Sequence, residues 1–134
     1  MKNKLPIFVA SFIVVAAVSC SDSLTPAENS TDAATKFVNA ILQGDHRKAY
    51  FYLLKDSTNE MMLETQKSVY NRMSSDEKKN RKSASIYPIE MKKIDDSTNT
   101  FRYYQSANPK DTTLLRVVKR EGEWLVDLKS VIKL

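Results

Sequence analysis

The sequence predicts an α+β fold in which N-terminal helices pack on one face of an antiparallel sheet of about four strands. Between residues 31 and 73, apolar residues recur at spacings of three and four, which is typical of amphipathic helices. After residue 86 they alternate with polar residues, which is typical of half-buried strands. A two-residue turn then divides the last apolar segment into a hairpin.

Two helices are predicted at the start of the domain. Ser30 or Thr31 caps the first, since either hydroxyl can accept a hydrogen bond from the free amides of the first turn. Gly44 ends it, because glycine readily takes the left-handed conformation that follows many helices. Asp45 caps the second helix. The apolar faces of the two helices are formed by Ala34, Phe37, Val38, Ile41, Leu42, Ala49, Tyr50, Leu53 and Leu54.

Two more helices are predicted before the sheet. The third follows Thr58, and its apolar stripe consists of Met62, Val69 and Met73. Ser74 and Glu77 have the spacing of a capping box, in which each side chain bonds the backbone of the other residue. This box begins a short, highly charged helix that ends near Lys82.

Alternating residues predict the first two strands, which contain Tyr87, Ile89 and Met91, and Phe101, Tyr103 and Gln105. Pro88 lacks an amide hydrogen, so the first of these strands is expected at a sheet edge or with a bulge.

Glu121 and Gly122 form the predicted turn of the final hairpin, because such turns need residues that tolerate positive φ. The resulting register pairs Val117 with Val126, Leu115 with Leu128, Arg116 with Asp127 and Val118 with Leu125. It places Trp124 on the apolar face. A register one residue away would mix the two faces.

An export signal is predicted at the N-terminus. Lys2 and Lys4 precede an apolar run from Leu5 to Val18, which has the length of the apolar region of an export signal. A membrane span needs about 20 apolar residues, so this run is too short for a comfortable one.

The apolar run ends in Ala17-Val18-Ser19-Cys20, which resembles the lipobox of bacterial lipoproteins. The resemblance implies that a diacylglyceryl group is added to the sulfur of Cys20 and that cleavage follows Ser19. Ordinary secretory cleavage after Ser19 and an uncleaved signal anchor are the alternatives. Cys20 is the only cysteine, so it has no internal disulfide partner.

The lipobox resemblance predicts how the chain is divided into segments and where in the cell the protein lies. Residues 1–19 are the removed signal, residues 20–30 are the lipidated cysteine with a flexible tether, and residues 31–134 are one domain. The acylated Cys20 holds the domain to a lipid bilayer, facing the periplasm or the cell exterior. Ser21 favours the outer membrane, because an aspartate after the cysteine marks inner-membrane retention in some bacteria.

Composition excludes several function classes. The formal charge of the whole chain is +5, and removal of Lys2 and Lys4 with the signal lowers it to +3. An exported domain with so mild a basic excess is not expected to bind nucleic acid. Its basic cluster, residues 78–82 with Lys92 and Lys93, is interpreted as a solvated surface. No Cys, His and carboxylate cluster has metal-ligand spacing, so no metal or other cofactor is expected.

The helical start Ala34-x-x-Phe37-x-x-Ala40-Ile41-x-x-Gly44-Asp45 and the closing Glu121-Gly122-Glu123-Trp124-Leu125-Val126-Asp127 resemble the nuclear-transport-factor-2-like (cystatin-like) superfamily. The stretch from Met73 to Lys78 is similar to small bacterial lipoproteins of this superfamily that carry a domain of unknown function. The resemblance implies a cone-shaped fold with a cavity at its wide end. Members include isomerases, dehydratases and non-catalytic binding modules, so the fold does not decide the function.

No side chain stands out as a catalytic acid or base. His46 lies in the first turn of the second helix, where a solvated histidine is the expected interpretation. Glu90 alternates out of phase with its apolar neighbours and is expected outside the core. Asp127 is expected in an exposed ion pair with Arg116, and such pairs contribute about 0–1 kcal/mol.

Aromatic and methionine side chains are the remaining candidates for a pocket that takes a small apolar ligand. Most of them are expected to form the core instead, and Tyr103 and Trp124 are the predicted pocket wall. The full set is Tyr50, Tyr52, Tyr87, Tyr103, Tyr104, Trp124, Met61, Met62 and Met91.

The leading functional hypothesis is a non-enzymatic, membrane-anchored binding or accessory module of the cell envelope. The alternative is an isomerase or dehydratase that uses the cone as its active site. Val118 and Leu125 on the outer sheet face favour an envelope protein partner or a homodimer through that face.

Overall fold

A computed structural model describes residues 23–133 of the chain, so the signal at residues 1–19 and Cys20 lie outside the described residues. Helices come first and a four-stranded antiparallel sheet follows, in the strand order β1-β2-β3-β4. The predicted α+β fold is confirmed. The elements are α1 Ser30–Gln43, α2 His46–Phe51, α3 Ser57–Arg72, α4 Ser75–Ser83, β1 Ile86–Asp95, β2 Thr98–Gln105, β3 Asn108–Arg120 and β4 Glu123–Lys133.

The core lies between α1 and one face of the sheet. Phe37 and Val38 of α1 are buried. Phe101 on β2, Val117 on β3 and Val126 on β4 are buried as well. Burying these large apolar side chains against one another is the main force that holds the helices on the sheet. None of the helices in the described residues is long and apolar enough to cross a membrane.

The helix ends follow local sequence rules, with one correction. Gly44 ends α1 with a φ of 72°, Asp45 caps α2, and Ser74 and Glu77 form both bonds of the capping box. The cap of α1 is Asn29 rather than Ser30 or Thr31. The Asn29 side chain accepts a hydrogen bond from the Asp32 amide at 2.9 Å, whereas Ser30 is buried against the sheet.

The stripe predicted for α3 is confirmed only in part. Met62 and Met73 are half-buried, whereas Val69 is 40% exposed. The buried residues of this helix are Asn59, Leu63 and Tyr70. The face of α3 that is buried depends on distant contacts: Asn59 is bonded to β4, and Tyr70 lies over Gly44 and against His46. A ring so close to Gly44 leaves no room there for a β-carbon.

The final hairpin has the predicted register near its turn. Val117 pairs with Val126, and Arg116 lies opposite Asp127. The predicted pairing of Leu115 with Leu128 is wrong, because the ladder shifts there and resumes with Leu114 opposite Ile132. A bulge in β4 therefore starts directly after Asp127, and bulges of this kind bend the strand.

Both sheet edges depart from a regular ladder. In β1 the register shifts between Pro88 and Glu90, which confirms the predicted bulge on an edge strand. At the β4 edge, the Val126 amide donates to the Tyr52 carbonyl at 2.8 Å, and the Leu54 amide donates to the Val126 carbonyl at 2.9 Å. The segment after α2 thus covers this part of the edge and shields it from pairing with another chain.

Candidate functional site

A cavity of about 680 Å³ lies between the helices and one end of the sheet. Its sheet wall comes from the end of β2, the start of β3 and the end of β4, which meet because neighbouring strands are antiparallel. The β4 residues in this wall, Leu128 and Val131, lie at the bulge. The apolar part of the lining is Phe37, Val38, Ile41, Leu42, Met62, Leu115, Leu128 and Val131.

Polar side chains form the rest of the cavity lining. Tyr103 and Thr113 are cross-strand partners in the sheet wall, and Gln105 follows Tyr103 on the same side of β2. Arg81 reaches the cavity from α4, and Thr65 and Gln66 line it from α3. The lining thus combines an apolar wall with groups that donate hydrogen bonds, as ligand pockets commonly do.

Tyr103 is a buried phenol within this lining. It is 6% exposed, and its ring stacks on Phe101 with the centroids 5.5 Å apart. Burial raises the pKa of the Tyr103 hydroxyl, and its hydrogen bond with the Thr113 side chain and the nearby positive charge of Arg81 oppose that rise. The hydroxyl is therefore protonated at neutral pH and can donate a hydrogen bond to a ligand.

Arg81 departs from the solvated surface that is predicted for the basic cluster. It lies half-buried in the cavity wall. Within α4 only Arg81 and Lys78 are half-buried, and the other residues of this helix are exposed. Their spacing of three places both on the inner side of the helix. That spacing was visible in the sequence, but nothing marked these two cations among their charged neighbours.

The two predicted pocket residues lie in different places. Tyr103 lines the cavity, and Trp124 does not. Trp124 lies opposite Lys119 in the hairpin, with the Lys119 ammonium 5.7 Å from its ring, and packs on the edge of the core. Among the other aromatic and methionine candidates, Met62 lines the cavity, and the structure exposes Tyr50, Tyr87 and Met61.

Asp127 is not in an exposed ion pair, so that expectation is wrong. The side chain is buried and accepts a hydrogen bond from Nδ2 of Asn59 at 3.2 Å. Its charged neighbour is Lys129, at 3.7 Å, rather than Arg116. The physical reason is that α3 packs along β4 and brings Asn59 beside Asp127. Glu90 is exposed, as expected.

His46 and Val118 also depart from their expected exposure. His46 is half-buried with its ring edge-on to Tyr70, and burial lowers the pKa of its imidazole. Val118 is 1% exposed, and its partners on the two neighbouring strands are Thr98 and Leu125. Val118 therefore offers no exposed apolar surface to a partner.

No protein-family model and no curated protein matches the chain. Within residues 23–133, no group of three or more His, Cys, Asp and Glu side chains is placed to hold a metal ion. The cavity and its lining are therefore the features from which a function can be argued.

Proposed function

We propose that this protein is a membrane-tethered, non-enzymatic binding module of the bacterial cell envelope, and that its cavity takes a small molecule with an apolar body. The observation that carries the proposal is the cavity of about 680 Å³ with its largely apolar wall. Cavities of about 300–1,000 Å³ are the usual size for small-molecule sites. The resemblance of the first helix and the last hairpin to nuclear-transport-factor-2-like domains implies a cavity of this kind and does not distinguish binding from catalysis.

An isomerase or dehydratase is the second candidate, and the buried Tyr103 hydroxyl in the cavity wall is the observation that favours it. Such reactions need a group that accepts a proton from the substrate. Among the described residues, the cavity lining contains no carboxylate and no imidazole. Its charged and phenolic groups, Arg81 and Tyr103, are hydrogen-bond donors at neutral pH. Binding therefore fits this lining better than turnover.

The membrane tether of the proposal rests on the lipobox resemblance at Cys20. The Thr25 carbonyl accepts a hydrogen bond from the Tyr52 hydroxyl at 2.8 Å, and Ala27 packs on the core. The chain from Cys20 to Thr25 spans at most about 18 Å. An acylated Cys20 would thus hold the domain close to the membrane surface.

The cavity is tested by the binding of octanamide, a neutral probe with an apolar chain. The full chain in phosphatidylcholine nanodiscs is dialysed against the probe, and empty nanodiscs give the background to subtract. We expect saturable binding to the protein. Ile41→Trp fills the cavity wall and should abolish that binding. Ile89→Trp is the matched control, because Ile89 is exposed and outside the cavity lining.

Two results would contradict the binding proposal. One is that the wild-type chain takes up no more octanamide, and no more of its anionic counterpart octanoate, than empty nanodiscs. The other is equal binding by Ile41→Trp and the wild-type chain. For the enzymatic candidate, Tyr103→Phe is the diagnostic variant: loss of a turnover activity with binding retained would favour catalysis.

The tether is tested with Cys20→Ser, followed by cell fractionation and mass spectrometry of the N-terminus. We expect the wild-type chain in the membrane fraction with an acylated N-terminal cysteine, and the variant unprocessed by the lipoprotein pathway. A variant that is still cleaved before residue 20 and still membrane-bound would rule out lipidation of Cys20.

A further inference from the structure

α4 places two cations on its inner side, and their surroundings differ. The ammonium of Lys78 lies 5.3 Å from the centre of the Tyr70 ring, a cation–π contact that accounts for its position. Arg81, one turn further on, lies in the cavity wall. No carboxylate within residues 23–133 forms a salt bridge with it.

The Arg81 side chain has hydrogen-bonding capacity that the described chain does not use. Its Nε is buried and has no hydrogen-bond partner among the described residues. The Nε atoms of Arg102 and Arg116 are also without a partner, but among the described residues neither arginine lines this cavity. An unmet buried donor costs free energy, and a ligand atom that accepts from the Arg81 Nε would remove that cost. The guanidinium is suited to a planar anion, because its donors form a rigid fork that matches a carboxylate or a phosphate.

The surroundings of Arg81 favour an anion rather than a neutral group. Tyr103, Thr113 and Gln105 line the same cavity, and each can donate a hydrogen bond to an anionic oxygen. No carboxylate in the described part of the chain lines the cavity, so a bound anion meets no like charge there. The remaining lining is apolar and suits the body of the ligand.

α4 is held so that Arg81 keeps this position. The capping box of Ser74 and Glu77 fixes the start of the helix. Near its end, Nε2 of Gln43 on α1 donates to the Lys82 carbonyl at 2.9 Å. A highly charged helix without a buried residue is thus stabilised at its start by its own capping box and attached to α1 near its end.

We propose that the ligand is an amphiphile with a single anionic head, and that Arg81 recognises this head while the apolar wall holds the chain. The inference rests on the proposed function, since it names the class of molecule that the same cavity takes. Arg81 acts here as a specificity-determining residue.

The test compares octanoate with octanamide, which share a chain and differ in head charge. Both are measured by equilibrium dialysis at pH 7.5 with the full chain in phosphatidylcholine nanodiscs, and empty nanodiscs are subtracted. We expect octanoate to bind more tightly than octanamide. Arg81→Gln should weaken octanoate binding about tenfold, because it removes one partly screened charge-assisted hydrogen bond, and it should weaken octanamide binding much less.

Two further variants serve as controls. Lys79→Gln makes the same charge change on an exposed position of α4 and should leave the binding of both probes unchanged. Arg81→Lys keeps the charge but not the fork, so its octanoate affinity should lie between those of the wild-type chain and Arg81→Gln. It also tests recognition if Arg81→Gln does not fold.

The outcomes separate the two proposals. Octanamide binding without a preference for octanoate would overturn the anionic head and leave the binding module standing. Equal weakening of both probes by Arg81→Gln would also overturn it, because Arg81 would then support the cavity rather than recognise charge. Absence of binding by both probes would contradict the proposed function itself.

Discussion

Asn59 shows how a single side chain joins elements that are distant in sequence. It is fully buried in α3, and its Oδ1 accepts a hydrogen bond from the Leu128 amide at 2.8 Å. Its Nδ2 donates to Asp127 at 3.2 Å and to Asp56 at 3.0 Å. One amide thus satisfies a backbone donor at the β4 bulge and a buried carboxylate, and it ties the start of α3 to the sheet.

Asn59→Ala should therefore be strongly destabilising. It leaves the Leu128 amide without this acceptor and Asp127 without this donor, which predicts a loss of about 2–4 kcal/mol in the free energy of unfolding. Urea denaturation followed by circular dichroism measures it. Asn71→Ala is the matched control, because Asn71 is exposed on the same helix, and its effect should be below about 0.5 kcal/mol. Equal effects of the two substitutions would contradict this role for Asn59.

At the scale of elements, α4 depends on its ends rather than on burial. None of its residues is buried, so little apolar packing holds it in place. Acidic residues in its first turn and basic residues in its last turn complement the helix dipole. The capping box adds two hydrogen bonds at the start, at 2.7 and 3.2 Å. These local features allowed the helix to be predicted from the sequence, whereas its inner side was set by contacts with Tyr70 and the cavity.

Ser74→Ala should loosen α4 with little effect on the rest of the fold. Loss of the cap costs about 1 kcal/mol, which a helix without buried residues cannot recover from packing. Hydrogen exchange should become faster for the amides of α4 and stay unchanged for α1. Ser83→Ala, at the other end of the same helix, removes no N-terminal cap and serves as the control. Exchange in α4 that does not change in Ser74→Ala would show that the cap is not what holds this helix.

At the scale of the whole molecule, charge pairs link α3 to the sheet as well. The Lys129 ammonium on β4 is bonded to Asp56, the cap of α3. This bond, together with the hydrogen bond that Asp56 accepts from the Asn59 backbone amide, holds the pKa of Asp56 below its ordinary value of 3.8. The folded chain therefore binds a proton at Asp56 less readily than the unfolded chain does. The pair of Asp56 and Lys129 consequently stabilises the fold at pH values above the ordinary pKa of Asp56, and this stabilisation decreases at lower pH.

The free energy of unfolding should accordingly fall as the pH is lowered below about 4, through the range between the ordinary and the lowered pKa of Asp56. Asp56→Asn should make this fall less steep, because asparagine still caps the helix but cannot pair with Lys129 as an anion. Lys129→Gln should do the same, and the double variant should add little to either. Urea denaturation between pH 7 and pH 3 measures the slopes. Additive effects of the two substitutions would show that the residues act independently.

The sequence by itself determined the order and type of the elements, the caps at Asp45 and Ser74, the stop at Gly44 and the turn at Gly122. The physical reason is that each of these depends on residues within a few positions of one another, or on a hydrophobic period that repeats along one element.

Only the tertiary structure decided which polar side chains were buried and where the cavity lies. Asn59 and Asp127 are 68 positions apart, and Arg81 lines the same cavity as Tyr103 and Thr113 only because α4 packs on α1 beside that cavity. The β4 bulge that displaces Leu128 from its expected partner also had no local signal. Burial and pairing depend on which distant surfaces meet, and a hydrophobic pattern along the chain does not contain that information.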